Sequence, residues 1–108
     1  MSGRAEVTAG ICGHGTSIEA TAAEGRMVSF AIETTCDNVQ CLIACLAEHG
    51  PVDAYAEINP RGESAVLKLG HEAGCCIDCV VPAAALKAMR VATGLALVAD
   101  VAIGLTKD

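Results

Sequence analysis

The chain has 108 residues and a net charge of −6, with seven Lys and Arg against thirteen Asp and Glu. The seven cations form no cluster, so neither nucleic acid nor an anionic membrane surface is an expected partner. No apolar run approaches the roughly 20 residues of a membrane span. The length suits a single domain over residues 1–108 with a real core. One Phe, one Tyr and no Trp leave that core to aliphatic and small side chains, Phe30 being its largest apolar candidate.

Val7, Ala9 and Ile11 alternate with Glu6 and Thr8, the period of a strand. Gly10 and Gly13-His14-Gly15 then permit a tight turn. Ile18, Ala20 and Ala22 alternate with Ser17, Glu19 and Thr21 as a second strand. Glu24-Gly25-Arg26 reads as a hairpin turn. Val28, Phe30 and Ile32 form the inward face of a third strand, and an antiparallel meander with one wet face follows. Glu6, Glu19 and Glu33 belong to that wet face.

The period changes after Cys36. Asp37 can cap a helix, with Gln40 at the capping-box position. Val39, Leu42, Ile43 and Leu46 make one helical stripe, and His49-Gly50-Pro51 stops it. Residues 52–58 are expected as a short helical turn, and Asn59-Pro60-Arg61-Gly62 as a loop. Ser64 to Leu69 reads as a short helix with Gly70 as its stop. Residues 70–79, rich in Gly and Cys, are expected to be irregular. Pro82 suits the first turn of a helix that runs from about Val81 to Thr93, with Gly94 at C′. Its packing face is Ala83, Leu86, Met89 and Thr93. Val101, Ile103 and Leu105 alternate as a last strand. The class is α+β: a three-stranded antiparallel meander followed by helices and a C-terminal strand.

Seven cysteines are the chemically informative residues: Cys12, Cys36, Cys41, Cys45, Cys75, Cys76 and Cys79. The N-terminus lacks a signal-peptide apolar region, so a cytoplasmic, thiol-reducing location is expected. An odd count also rules out complete intramolecular pairing. Cys76 and Cys79 form a C-x-x-C pair, which can chelate one tetrahedral ion. No second C-x-x-C exists, so further ligands must come from single residues. Strands one and three of a meander run parallel, which brings Cys12 and Cys36 to one edge of the sheet. The loop at 75–79 can close over them. Cys12, Cys36, Cys76 and Cys79 then form a four-thiolate metal site, for a zinc ion or an iron–sulfur cluster. Zinc there would be structural and would contribute folding free energy; a cluster would point to electron transfer or cluster carriage. Cys75 or His71 can replace Cys76 as ligand. The plain alternative is that Cys12 and Cys36 are small buried hydrophobes.

Cys41 and Cys45 lie one helical turn apart. Cys41 falls nearly opposite the apolar stripe and reads as a surface thiol, while Cys45 falls at the stripe's border. His14 is a turn residue that can also support a neighbouring sulfur. His49 suits the negative end of its helix. A different chemistry is open to Cys79, because a helix N-terminus stabilises a thiolate. Thiol redox or sulfur transfer, with Cys76 as resolving partner, is the second reading. The Cys-x-x-Pro spacing resembles the Cys-Pro-x-Pro helix start of small sulfur-carrier proteins, although the strand order differs and Val80 replaces the first proline. No phosphate loop, Ser/His/Asp motif or HExxH is present, so these motifs give no ground for an enzyme and the question stays open at this point. A third reading is an interaction module, whose small-residue helix face packs on a protein partner or a second copy.

Gly10-Ile-Cys-Gly13, Thr35-Cys-Asp-Asn-Val-Gln40 and, above all, Cys79-Val-Val-Pro-Ala-Ala-Ala-Leu-Lys-Ala88 continuing through Gly94-Leu-Ala-Leu97 to Asp100-Val-Ala-Ile103 carry a resemblance. Over a third to half of its length the chain resembles a family of small cysteine-containing prokaryotic proteins of unassigned activity, frequent in anaerobes. The resemblance implies cysteines at the positions of Cys12, Cys36 and Cys79, and His or Cys at that of Cys76, an exchange that a metal ligand tolerates. Val80, where a proline is usual, and the additional Cys41, Cys45 and Cys75 depart from that pattern.

Overall fold

The computed structural model of the chain describes residues 1–8, 10–59 and 61–108, without the side chain of Glu24. The expected strand position of Ala9 and loop position of Pro60 lie outside the described residues. Three strands, β1 (Ser2–Thr8), β2 (Gly15–Glu24) and β3 (Met27–Thr34), form the expected antiparallel meander. A fourth, β4 (Val52–Asp53), pairs with the start of β3, so the sheet order is β1-β2-β3-β4. The helices are α1 (Asp37–His49), α2 (Ala54–Glu57), α3 (Ala65–Glu72) and α4 (Val80–Ala92).

The period-2 pattern explains the sheet. Ile18, Ala20 and Val28 are buried on the face that meets the helices, and Phe30 and Ile32 are half-buried there. The largest fully buried groups are therefore Ile18, Leu42, Met89 and Val28 rather than Phe30. On the opposite face, charges meet across the register. Arg4 lies opposite Glu19 and bridges it at 2.9 Å, and the Ser17 hydroxyl donates to Glu6 at 2.6 Å. Direct cross-strand pairs of this kind favour one register over its neighbours.

Helix α4 packs across β1 and β2. It buries Val81, Pro82, Ala85, Ala88, Met89 and Ala92. The expected face was displaced: Ala83 is exposed, and Leu86 and Thr93 are half-buried. The reason is Gly3. A Cβ at this position would collide with the Ala88 carbonyl oxygen and the Ala92 nitrogen. The small residues of α4 are thus spent inside the chain, on the closest approach of helix to strand.

Several local expectations were corrected. The first strand stops at Thr8, and Gly10–Cys12 form a 3-10 turn, so Cys12 ends that turn and not a strand. The expected turn at 52–58 is instead β4 followed by α2, with Ile58 as the C-cap of α2. Gly70 does not stop α3, which continues to Glu72. It is glycine because a Cβ there would lie 2.9 Å from Pro82 Cγ on α4. The N-cap of α1 is Cys36 rather than Asp37, and Gln40 donates to the Thr34 carbonyl at 2.9 Å instead of closing a capping box. Residues 97–108 form no strand and are exposed throughout. Alternation at 101–105 is satisfied as a strand only beside a sheet edge, and none is paired with it here. Gly94 does end α4 as expected, with φ +76° and the Leu95 and Ala96 amides donating to the Arg90 carbonyl. Among the described residues, no helix is long and apolar enough to cross a membrane.

Candidate thiol site

The register Thr8 to Gly15 and Thr16 to Thr34 puts the β1–β2 turn and the β3–α1 junction at one end of the sheet. Thr34 ties that corner together. Its hydroxyl lies 2.8 Å from that of the buried Thr16, and it accepts from the Cys36 amide at 3.1 Å. His14 Nδ1 lies 2.9 Å from the Thr35 hydroxyl, joining the turn that follows Cys12 to the residue before Cys36. Cys12 and Cys36 therefore occupy the same sheet end, with Cys12 exposed and Cys36 half-buried.

The second part of the site comes from the α3–α4 connection. Gly74, at φ +88°, reverses the chain after α3, a conformation that costs glycine little. The Cys75 amide donates to the Gly70 carbonyl at 3.1 Å, and the Cys79 amide to the Cys76 carbonyl at 3.0 Å. The close contact of Gly70 with Pro82 holds the two helices together below the loop. The loop then reaches the first turn of α1, where the Cys75 thiol makes a long contact of 3.9 Å to the Asn38 carbonyl.

Cys75 lies at the centre of the resulting group. Its thiol is pushed up from 9.0 to about 11, first by burial, then by the sulfurs of Cys79 and Cys36, by a hydrogen bond with Cys79, and by Cys76. Each neighbouring sulfur opposes a negative charge on Cys75. Sulfurs from the β3–α1 junction, the α3–α4 loop and the start of α4 have thus been brought together. Cys36 and Cys79 are the N-cap residues of α1 and α4, and neither side chain caps its own helix. Both sulfurs stay available for other partners beside the amides and the positive dipole end of a 13-residue helix.

Cys76 is exposed at the outer side of the loop, next to Ile77, itself 92% exposed. The structure thus brings Cys36, Cys76 and Cys79 to one place around Cys75, a residue that the C-x-x-C spacing had set aside. In the Cys75-Cys76 doublet nothing marks which sulfur turns inward. That choice follows from the turn at Gly74. Cys41 is exposed on α1 and Cys45 half-buried, and His71 is an exposed residue of α3. His49 Nδ1 lies 3.1 Å from the Gly50 carbonyl at the end of α1. As the side chains stand, no three His, Cys, Asp or Glu among the described residues are disposed to hold a metal ion. Two surface depressions, one lined by Arg26, Met27, Tyr55 and Thr93 and one by His49, Ser64, Lys68 and Glu72, have no cysteine in their walls.

No curated protein and no solved structure matches the chain. A family model does match it, over residues 3–105. In line with the resemblance to a family of unassigned activity, the chain belongs to the family of unknown function DUF6951.

Proposed function

We propose that the cysteine group at the start of α1 and α4 is a thiolate metal-binding site, with zinc as the first candidate and an iron–sulfur cluster as the second. The observation that carries this reading is the gathering of Cys36, Cys76 and Cys79 around the thiol of Cys75. Cys12, Cys36, Cys75, Cys76 and Cys79 offer five sulfurs for four tetrahedral positions. Cys12, Cys36 and Cys79 are common to the set completed by Cys76 and to the set completed by Cys75. Cys12 and Cys76 are exposed, on turns that can bring a sulfur inward, and Cys75 is already central. Four thiolates on a divalent ion leave a net charge of −2, and two helix N-termini at the site offset part of it. A bound ion would join the sheet end, α1 and α4, and so add directly to folding stability.

The test is elemental analysis with ultraviolet–visible spectroscopy on protein purified without oxygen. Near one zinc per chain in a colourless sample supports the structural ion, and iron with sulfide in a brown sample supports the cluster. Cys36→Ser and Cys79→Ser should each abolish stoichiometric metal. Wild-type protein without metal, or both variants retaining it, would refute the proposal.

A second reading is favoured by the effect of the Cys79 sulfur on the Cys75 thiol. In that reading Cys79 is a redox or sulfur-transfer thiol and Cys75 its proton donor and resolving partner. Forming the Cys75–Cys79 disulfide would release two electrons and two protons to a thiol–disulfide acceptor. It requires Cys79 to be alkylated at neutral pH well ahead of the other thiols, and uniform slow alkylation would count against it.

A further inference from the structure

The segment after α4 carries a run of exposed apolar side chains. Leu97, Val98, Val101, Ile103 and Leu105 are 92%, 83%, 59%, 69% and 89% exposed. Residues 97–108 make no hydrogen bond to the rest of the described chain. Scattered exposed apolar residues are ordinary, but five within nine positions call for a cover. Their spacing identifies the cover. Val101, Ile103 and Leu105 alternate with Ala102 and Gly104, so over 101–105 one side is large and apolar and the other small. A segment of that pattern is completed by a sheet edge.

The sheet offers such an edge. β1 is its first strand, seven residues long and paired on one side only. Its charged side chains do not guard the outer edge: Arg4 bridges inward to Glu19, and Glu6 accepts from Ser17. Strand edges left in this state pair with further chain. Along α4, Ala84, Val91 and Leu95 are half-buried, and Val91 Cβ is among the atoms nearest to a Cβ built at Gly3. They give the side of β1 an apolar flank for a neighbouring strand.

We propose that the segment around 98–105 pairs with β1 of a second copy of this chain, and that two copies exchange these segments reciprocally. The segment leaves α4 beside its own β1 and still stays exposed and unpaired with it, which favours a second copy. Leu95 packs on the core and its amide is fixed to Arg90, close to where Ala88 and Ala92 cross Gly3 at the start of β1. A two-fold axis beside the start of β1 would bring each segment to the β1 edge of the other copy at once. The area is also sufficient. A Leu, Ile or Val removes roughly 60–120 Å² of apolar surface from water on burial. Five from each copy, with the surfaces that receive them, reach roughly 1,200 Å² or more, within the range of stable interfaces. This proposal does not depend on the metal reading.

The test is sedimentation velocity and amide hydrogen exchange on the full chain at micromolar concentration, under reductant so that intermolecular disulfides play no part. The expected result is a dimer, with residues 98–105 and β1 both protected. V101D/I103D should be a monomer with an unchanged helical circular dichroism signal, its dimer weakened at least about 100-fold by two charges in a dry interface, and should lose protection at both places together. A wild-type monomer with unprotected 98–105 would overturn the proposal. So would a monomer in which 98–105 is protected, which would mean pairing with its own β1, and so would a dimer that survives V101D/I103D.

Discussion

Glu57 is a charged residue buried at 7% exposure, and its removal tests how the helical layer is joined. It stands at the end of α2 and its carboxylate holds the first turn of α3. Oε1 accepts from the Ser64 hydroxyl at 3.0 Å and from the Val66 amide at 2.8 Å, while Oε2 accepts from the Ala65 amide at 2.7 Å. The two amides belong to the first turn of a helix, where no intrahelical acceptor exists. Each hydrogen bond to a charged group contributes about 1.5–3 kcal/mol. Water recovers part of that once the side chain is truncated, so Glu57→Ala should cost about 2–4 kcal/mol. Glu57→Gln can keep an oxygen at the Oε1 position, serving Ser64 and Val66, and turns its NH2 toward the Ala65 amide. It loses one acceptor and should cost about 1–2 kcal/mol. Urea unfolding followed by far-ultraviolet circular dichroism measures both. With a slope of about 1–3 kcal/mol/M for a small protein, the alanine variant should lower the midpoint by about 1 M or more. An alanine variant within about 0.5 kcal/mol of wild type, or a glutamine variant as damaging as alanine, would refute the reasoning.

Gly3→Ala should destabilise by about 1–3 kcal/mol, because the new methyl meets backbone atoms of α4 that cannot turn aside. A thermal melt at or above the wild-type midpoint would contradict that packing. In metal-free, reduced protein, stability should fall as the pH rises from about 9 toward about 11. Over that interval the Cys75 thiol ionises in the unfolded chain but stays protonated in the folded one, so unfolding releases a proton and alkali favours it. Because Cys75 is only half-buried, solvent screening keeps the fall below the full linkage slope. Chemical denaturation across that range should show a shallower decline in Cys75→Ala, and equal slopes would remove Cys75 as the cause.

The parts of the fold that were legible before any coordinates were those with local causes. The meander follows from alternation at 17–22 and 28–32, and α1 from the stripe Val39–Leu46 with its Gly50 stop. Helix α4 follows from Pro82 and Gly94. The approach of Cys12 and Cys36 to one sheet end was also legible, since it needs only the connectivity of a three-strand meander. Three features were misjudged for one shared reason. Gly70 looked like a helix stop, Ala83 like a packing residue and Val101–Leu105 like a strand, because each was judged on its own segment. Pro82 decides the role of Gly70, Gly3 decides which face of α4 is buried, and the partner edge decides whether 101–105 pairs at all.

The thiol site divides in the same way. The sequence by itself determined that cysteines stand at the starts of both long helices, because capping and period depend on residues within a few positions of each other. It also determined that three more lie in the glycine-rich connection and at the first turn. Only the tertiary structure decided that Cys75 is the half-buried member of the doublet and Cys76 the exposed one. A doublet places one sulfur on each side of the backbone, and which side is the inside depends on how the Gly74 reversal lays the loop over Asn38 of α1. That contact joins positions 37 residues apart, a separation over which local spacing carries no information and packing alone selects the geometry.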